Sequence, residues 1–230
     1  VQGDITDAEA VDRAVAECGA KKLIHLAGLP VPFCRADPAA GARVNVLGTI
    51  HVFEAAKKTK AERVVYASSG AVYGPPEEER APDESAACEP TTHYGVYKRA
   101  NEGNARIYWQ DDRVASVGLR PLTVYGVGRD QGMTSGPTKA MKAAVLARPY
   151  RIAFSGATDF NYVADTAACF VASADRAPAG AHVFNLHGQS VDVTRIVEVI
   201  EALAPRARGT ITWGGAPIPI PPALDGRAIH

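Results

Sequence analysis

The 230-residue sequence lacks net charge: 25 lysines and arginines balance 25 aspartates and glutamates. No basic run exceeds a few residues, so the positive footprint that would track a phosphate backbone is missing, and nucleic acid is not an expected partner. The densest basic stretch, Lys57-Lys58-Thr59-Lys60, reads as a helix C-terminus, where positive charge complements the dipole. There is no apolar run of about 18 residues and no signal-peptide pattern, so neither a membrane span nor a membrane partner is expected and a cytoplasmic location is. The four cysteines, Cys18, Cys34, Cys88 and Cys169, show no paired spacing and no neighbouring His, which argues against a disulfide framework or a metal site. Internal repeats are absent. So is an initiator Met: Val1 to Asp7 reads as the end of a strand entering a helix, and a fragment is expected.

What is present is an ordinary globular composition, 47% hydrophobic and 22% charged, which excludes disordered and fibrous classes and suffices for one sizeable core. Asp7 is placed to cap a helix through Cys18, with Ala8, Val11, Ala14 and Val15 on one face. A buried strand, Leu23 to Leu26, stops at Ala27-Gly28. A loop rich in Pro and Ala follows, then one long helical pattern from about Pro38 to Lys58. The next strand, Arg63 to Ala67, ends at Ser68-Ser69-Gly70. Residues 74–92 carry Pro75, Pro76, Pro82 and Pro90 among acidic residues and read as a surface loop. A helix is expected from Thr92 to Trp109 and a strand from Val114 to Leu119.

Short apolar strands alternating with helices argue for a parallel α/β sheet, whose sites lie beyond the C-terminal strand ends at Ala27-Gly28, Ser68-Ser69 and Pro121. Beyond Gly126 the pattern loosens. Helices are expected over Pro137–Leu146, from Ala164 and over Val193–Leu203. Extended pieces are expected at Tyr150–Ala153, Asn161–Val163, Val183–Leu186 and Thr210–Trp213, and Gly214 to Pro222 reads as a turn or extended tail.

Within the Thr92 helix, Tyr94 and Lys98 are one turn apart and share a face. A free phenol titrates near pH ~10, so a Tyr acting as base near neutrality needs a shift of about 3 units. An ammonium one turn away favours the phenolate. Tyr97 points off another part of the helix. Ser69, at a strand end, supplies a hydroxyl that this topology brings toward the same crevice.

The segments Gly3-Asp4-Ile5, His25-Leu26-Ala27-Gly28, Asn45 to Thr49, Ala67 to Gly74, Tyr94 to Lys98 with Glu102, Arg120 to Gly126, and Phe160 to Asp165 form an ordered series. In that order the chain resembles an extended short-chain dehydrogenase/reductase of the NAD-dependent epimerase/dehydratase type. The resemblance implies a Rossmann-like doubly wound parallel sheet lacking its first strands, with a smaller mixed C-terminal substrate lobe. Residues 1–126 would form a partial dinucleotide-binding domain. Residues 127–230 would be mainly a substrate lobe interleaved with the sheet.

It also implies roles. Tyr94 would be the general acid or base at a substrate hydroxyl or carbonyl, and Lys98 would lower its pKa while binding the nicotinamide ribose. Ser69 would donate to the same substrate oxygen. Asp4 and Ile5 would flank the adenine, Leu26, Ala27 and Gly28 would allow close approach of the cofactor, Asn45 would be a polar contact from the next helix, and Pro121 would lie at the cofactor. The plainer alternatives are that Asp4 is an exposed turn residue and Asn45 a buried helix residue satisfied by a loop carbonyl. The cofactor would be NAD or NADP and the reaction hydride transfer at a secondary alcohol or ketone. A non-catalytic member of the fold and an inactive fragment are the other readings.

Three departures qualify the resemblance. The glycine-rich phosphate turn is not among these residues; Gly126-Val127-Gly128 with Gly132 has the wrong spacing and reads as a plain loop. Thr123 and Thr158 stand where relatives using nucleotide-linked sugars often have Asn and Arg, which implies a carbohydrate-like substrate without a nucleotide handle: a free sugar, sugar acid or polyol. The chain also stops at His230, short of the last expected elements. Dehydration is disfavoured, since Gly70 and Ala71 offer no acid beside Ser69. Apolar Ala100, Ile107, Tyr108 and Trp109 on the Tyr94 helix suggest a homodimer, unless the second lobe covers them.

Overall fold

The computed structural model describes residues 2–75 and 81–229; residues 76–80 of the expected surface loop lie outside the described residues. Helix α1 (Ala8–Cys18) is capped by the Asp7 carboxylate, which accepts from the Ala10 amide, and ends at Gly19 with φ 62°. Strand β1 (Lys22–His25) leads into residues expected to be loop. They hold a short helix instead, α2 (Val31–Ala36), with proline in its first turn, where a fixed φ and a missing N–H cost nothing.

The single long helix expected over Pro38–Lys58 is three pieces. Asp37 caps α3 (Pro38–Ala42), a π-helical segment spans Arg43–Leu47, and α4 (Gly48–Thr59) follows. The apolar periodicity runs through all three, so the widened turn is invisible to it; such turns often sit at functional positions. Strand β2 (Arg63–Ala67), α5 (His93–Asp112) and β3 (Ser116–Arg120) complete the first half. Thr92 caps α5 by accepting from the Gly95 amide.

The second half runs β4 (Thr123–Tyr125), α6 (Gly136–Val145), β5 (Tyr150–Ile152), β6 (Ala157–Tyr162), α7 (Val163–Arg176), β7 (Ala181–Asn185), β8 (Gln189–Asp192), α8 (Val193–Leu203) and β9 (Ile211–Trp213). Strands β4 and β8 go beyond the sequence expectation: each is too short for a two-residue alternation to register. The extended piece expected at Asn161–Val163 belongs to β6, and Val163 already starts α7.

The main sheet is parallel, in the order β1-β2-β3-β7, and β2 shows how it is buried on both faces. Val64 and Tyr66 pack with Phe53 of α4 and Ala105 of α5; Val65, one residue out of phase, packs with Phe170 and Ala174 of α7. Gly118 of β3 is small because the Tyr66 ring fills that side: a Cβ there would stand 2.6 Å from the phenol oxygen. Helices on both faces of a parallel sheet make the fold α/β and Rossmann-like. A second core, built on Ala140, Ile152, Phe154, Val197 and Ile211, joins α6, α8, β5 and β9. The strands of the small sheet β4-β6-β8 are interleaved in sequence with both regions, and α7 and β7 return to the main sheet.

Candidate active site

The ends of β2 and β3 are held together by a buried polar network. Arg120, 2% exposed, donates from Nε and one terminal nitrogen to the two oxygens of Glu102 on α5, each at 2.7 Å. Ser68 donates to the same carboxylate at 2.6 Å. The remaining guanidinium nitrogen donates to the Tyr73 hydroxyl at 2.6 Å, and Tyr73 donates onward to Asn185 of β7. Burial alone would raise the Glu102 carboxyl, but the hydrogen bonds and charge of Arg120, with Ser68 and Arg99, hold it below its ordinary value. The network fixes the backbone next to Ser69, and Pro121 adds to this by accepting from the Gly70 amide at 2.9 Å.

Ser69 ends this strand as a helix cap, its oxygen accepting from the Ala71 amide at 3.2 Å. Tyr94 stands close by, and the Ser69 hydroxyl favours ionisation of its phenol. Both line one pocket with Thr92, Leu122, Arg129 and Thr134. Lys98 lies one turn below Tyr94 with its ammonium 5.5 Å from the ring centroid, and is 5% exposed. It has no carboxylate partner among the described residues.

The structure corrects the expected lowering of Tyr94 by Lys98. Burial raises the phenol above its usual value, opposed by Ser69 and by the charge of Arg129. Lys98 is itself lowered to about 8 by burial. The ammonium stands over the ring face, not at the phenol oxygen, so desolvation dominates both groups. Tyr97, as expected, faces elsewhere and donates to the Pro38 carbonyl at 2.8 Å.

Gly28 forms the floor beside Lys98. A Cβ on it would stand 2.7 Å from Asn45 Oδ1 and 3.5 Å from Lys98 Nζ, so only glycine leaves this cradle open. Asn45 is 1% exposed and exchanges hydrogen bonds with the Leu29 amide and carbonyl, both at 3.0 Å; the plainer of its two readings holds for the side chain, which shapes the turn. Behind it, Thr49 donates to the Asn45 carbonyl at 2.7 Å and sits 3.1 Å from His25 Nε2. With the Thr49 proton so placed, His25 Nε2 is the donor of that pair. Burial, then the Lys98 charge, lowers His25 to about 4.

The other expected cofactor residues are less closely joined. Asp4 is exposed in a turn closed by the Thr6 amide and hydroxyl, the plainer reading again. The Ile5 side chain is half-buried, packing against Gly48 and the α4 core. Leu26 is 59% exposed, with Ala27 and Gly28 beside it on the surface. Of the suggested dimer face, Tyr108 is corrected: it stacks on Phe53 and donates to Glu54 at 2.6 Å, turned to the core. Ile107 of that face is about half exposed, at 48%, as is Val96 on the same helix, at 47%, which the sequence reading did not name.

Sequence reasoning missed Arg129, Thr134 and the segment Ile218–Ile220, which closes the pocket. Arg129 had a charge as its only signal, in a loop without periodicity. Thr123 and Thr158, both buried, hydrogen-bond each other at 2.8 Å.

The family model described as NAD dependent epimerase/dehydratase family matches residues 1–186. The chain belongs to that family. UDP-glucuronate 4-epimerase 5 of Arabidopsis thaliana is 27% identical over 223 residues, covering 88% of this chain and 51% of that protein. UDP-glucose 4-epimerase of Mycolicibacterium smegmatis is 31% identical over 185 residues, covering 78% and 58%. The crystal structure of Thermus thermophilus UDP-glucose 4-epimerase in complex with NAD superposes with a TM-score of 0.88 at 23% identity, over 99% of this chain and 76% of that one. This chain spans about half the length of the curated relatives it matches. The epimerase/dehydratase family is NAD-dependent, and the Gly28 cradle with Lys98, which no carboxylate among the described residues pairs, fits the ribose end of such a cofactor. No helix among the described residues is long and apolar enough to cross a membrane.

Proposed function

We propose that this chain carries the reacting face of an NAD-dependent oxidoreductase or epimerase acting on a secondary alcohol or ketone of a sugar or sugar-derived substrate. The observation that carries the reading is the meeting of Ser69 and Tyr94 on one pocket above a buried Lys98 that lacks a carboxylate partner among the described residues. When bound, NAD supplies the hydride acceptor or donor. Gly28 and Lys98 would hold its ribose end, with Asn45 setting the turn and Leu26, Ala27 and Pro121 as further contacts. The pyrophosphate and adenine ends belong to residues outside this cradle.

Tyr94, held above its usual pKa, is protonated at neutral pH and therefore suited to donate to the oxygen of a ketone as it becomes an alkoxide. Ser69 donates to the same oxygen. In the oxidising direction Tyr94 takes that proton back, with Lys98 as the cation one helical turn away. Thr123 and Thr158 satisfy each other and offer no group for a nucleotide diphosphate, which supports a substrate without that handle. Gly70 and Ala71 supply no acid for elimination, so oxidation and epimerisation are favoured over dehydration. Exposed Val96 and Ile107 on α5 are the surface on which we place a homodimer contact, in a cytoplasmic enzyme.

Tyr94→Phe in the full-length protein tests the reading. The expected result is a fall in kcat of about 10²- to 10⁴-fold, the usual contribution of a positioned acid or base, with NAD affinity retained. Turnover within a few-fold of wild type would remove Tyr94 from the chemistry.

A further inference from the structure

We propose that Arg129 is the anion-binding residue of the substrate site and that the substrate carries a carboxylate, as a uronate or an aldonate does. This rests on the reading of Ser69 and Tyr94 as the reacting end of the same pocket.

Arg129 lines that pocket, and its charge reaches the Tyr94 phenol, which it lowers. It has no carboxylate partner among the described residues. Among those residues its guanidinium hydrogen-bonds only to Thr134 Oγ1, at 3.2 Å, and Nε is buried with no acceptor at all. Arg120 and Arg99 are engaged with Glu102, Arg195 with Glu198 and Arg227 with Asp225, while Arg63 binds backbone carbonyls although its Nε is also buried without an acceptor. The adjacent carboxylate, Asp130, is taken by Lys142. A half-buried guanidinium that lines a pocket and has no carboxylate partner among the described residues is the cation that an entering anion meets.

The loop is built to hold this side chain there. Gly126, Gly128 and Gly132 all take positive φ, and a Cβ at Gly132 would stand 3.0 Å from an Arg129 terminal nitrogen. A Cβ at position 132 crowds the guanidinium, and the φ of 91° there strains any larger residue.

The chemistry favours a carboxylate over a phosphate. The guanidinium fork pairs bidentately with carboxylate and phosphate alike, so the choice between them rests on the rest of the lining. A phosphate or diphosphate calls for further donors, yet much of the surrounding wall is Val31, Leu122, Met133 and Ile218, and Thr123 and Thr158 are closed on each other. Lys98, a second cation near the pocket, lies beneath Tyr94 at the Gly28 floor.

The test uses the full-length protein with NAD and matched compounds: D-glucuronate and D-galacturonate, D-glucose and D-galactose, and glucose 1-phosphate. Binding is read by calorimetry and turnover by NADH absorbance. The expected result is a preference for the uronates over the matched neutral sugars of about 10- to 100-fold, the range of a hydrogen bond to a charged group. In Arg129→Gln that preference collapses to near unity. Arg129→Lys keeps part of it.

Equal binding of uronates and neutral sugars by wild type overturns the proposal, as does a preference that survives in Arg129→Gln. Tighter binding of glucose 1-phosphate than of either uronate overturns the carboxylate. Arg129-dependent uronate binding without turnover supports the proposal while defeating the reaction assigned to Tyr94. Turnover confined to neutral sugars does the reverse.

Discussion

Removing the Glu102 carboxylate should be among the most damaging single changes this chain can suffer outside its apolar cores. The side chains of Glu102 and Arg120 are each 2% exposed, so Glu102→Ala leaves a guanidinium out of water with two of its 2.7 Å hydrogen bonds gone. Only Tyr73 and the weak Cys88 contact remain to it among the described residues. Breaking one side of such a buried pair costs about 3–5 kcal/mol. The Arg99 contact adds little, because that side chain is 53% exposed. For a chain of this length each kcal/mol moves the melting temperature by about 2–4 °C, so a fall of about 6–20 °C is expected.

Urea denaturation followed by circular dichroism measures the free energy, and a thermal melt the temperature. Pairing Glu102→Leu with Arg120→Met removes both charges and their desolvation together. That double variant should be more stable than Glu102→Ala, since the cost lies in the orphaned charge and not in the lost pair. A Glu102→Ala penalty below about 1 kcal/mol, or a double variant at the sum of the two singles, would refute the buried-pair account.

Two further outcomes are expected. His25 has a folded pKa of about 4 against an ordinary value near 6.5, so the fold favours its neutral form. The stability this confers is fully present above about pH 6.5 and is lost as pH falls toward 4, amounting to about 3 kcal/mol. Urea midpoints of wild type and His25→Gln at pH 7 and pH 4.5 should show a smaller acid loss in the variant; equal losses would assign it elsewhere. Tyr66 is buried with no hydrogen-bond partner for its hydroxyl among the described residues, so Tyr66→Phe should raise stability by about 1 kcal/mol. A lower urea midpoint in that variant would mean the hydroxyl is satisfied after all.

The parts of this fold legible in the sequence are those whose cause is local. Asp7 before an apolar periodicity and Gly19 after it mark both ends of α1. The run Arg63 to Ala67 can only be a strand buried on both faces, and Thr92 announces α5. What was not legible depends on partners far along the chain. The π-helical segment at Arg43–Leu47 places Asn45 against a turn sixteen residues earlier, and no periodicity reports that. Thr123 finds Thr158, and Arg120 finds Glu102 and Tyr73, only once β2, β3, β6 and α5 are assembled.

The Tyr94 and Lys98 pair shows where a correct spacing still yields a wrong sign. Their separation on the helix was enough to bring them together, and Coulomb's law then argued for a depressed phenol. Assembly adds two facts that the spacing does not contain. The ammonium lies over the ring, at 5.5 Å from its centroid, and both groups are withdrawn from water. Desolvation disfavours the charged form of each, raising the acid and lowering the amine, so the two shifts drive the pair toward neutrality together. A protonated phenol beside an amine of pKa about 8 is an acid in waiting at pH 7, and the direction of proton transfer is set by what enters the pocket above it. In such a site the sequence names the participants, but only their burial decides which of them holds the proton.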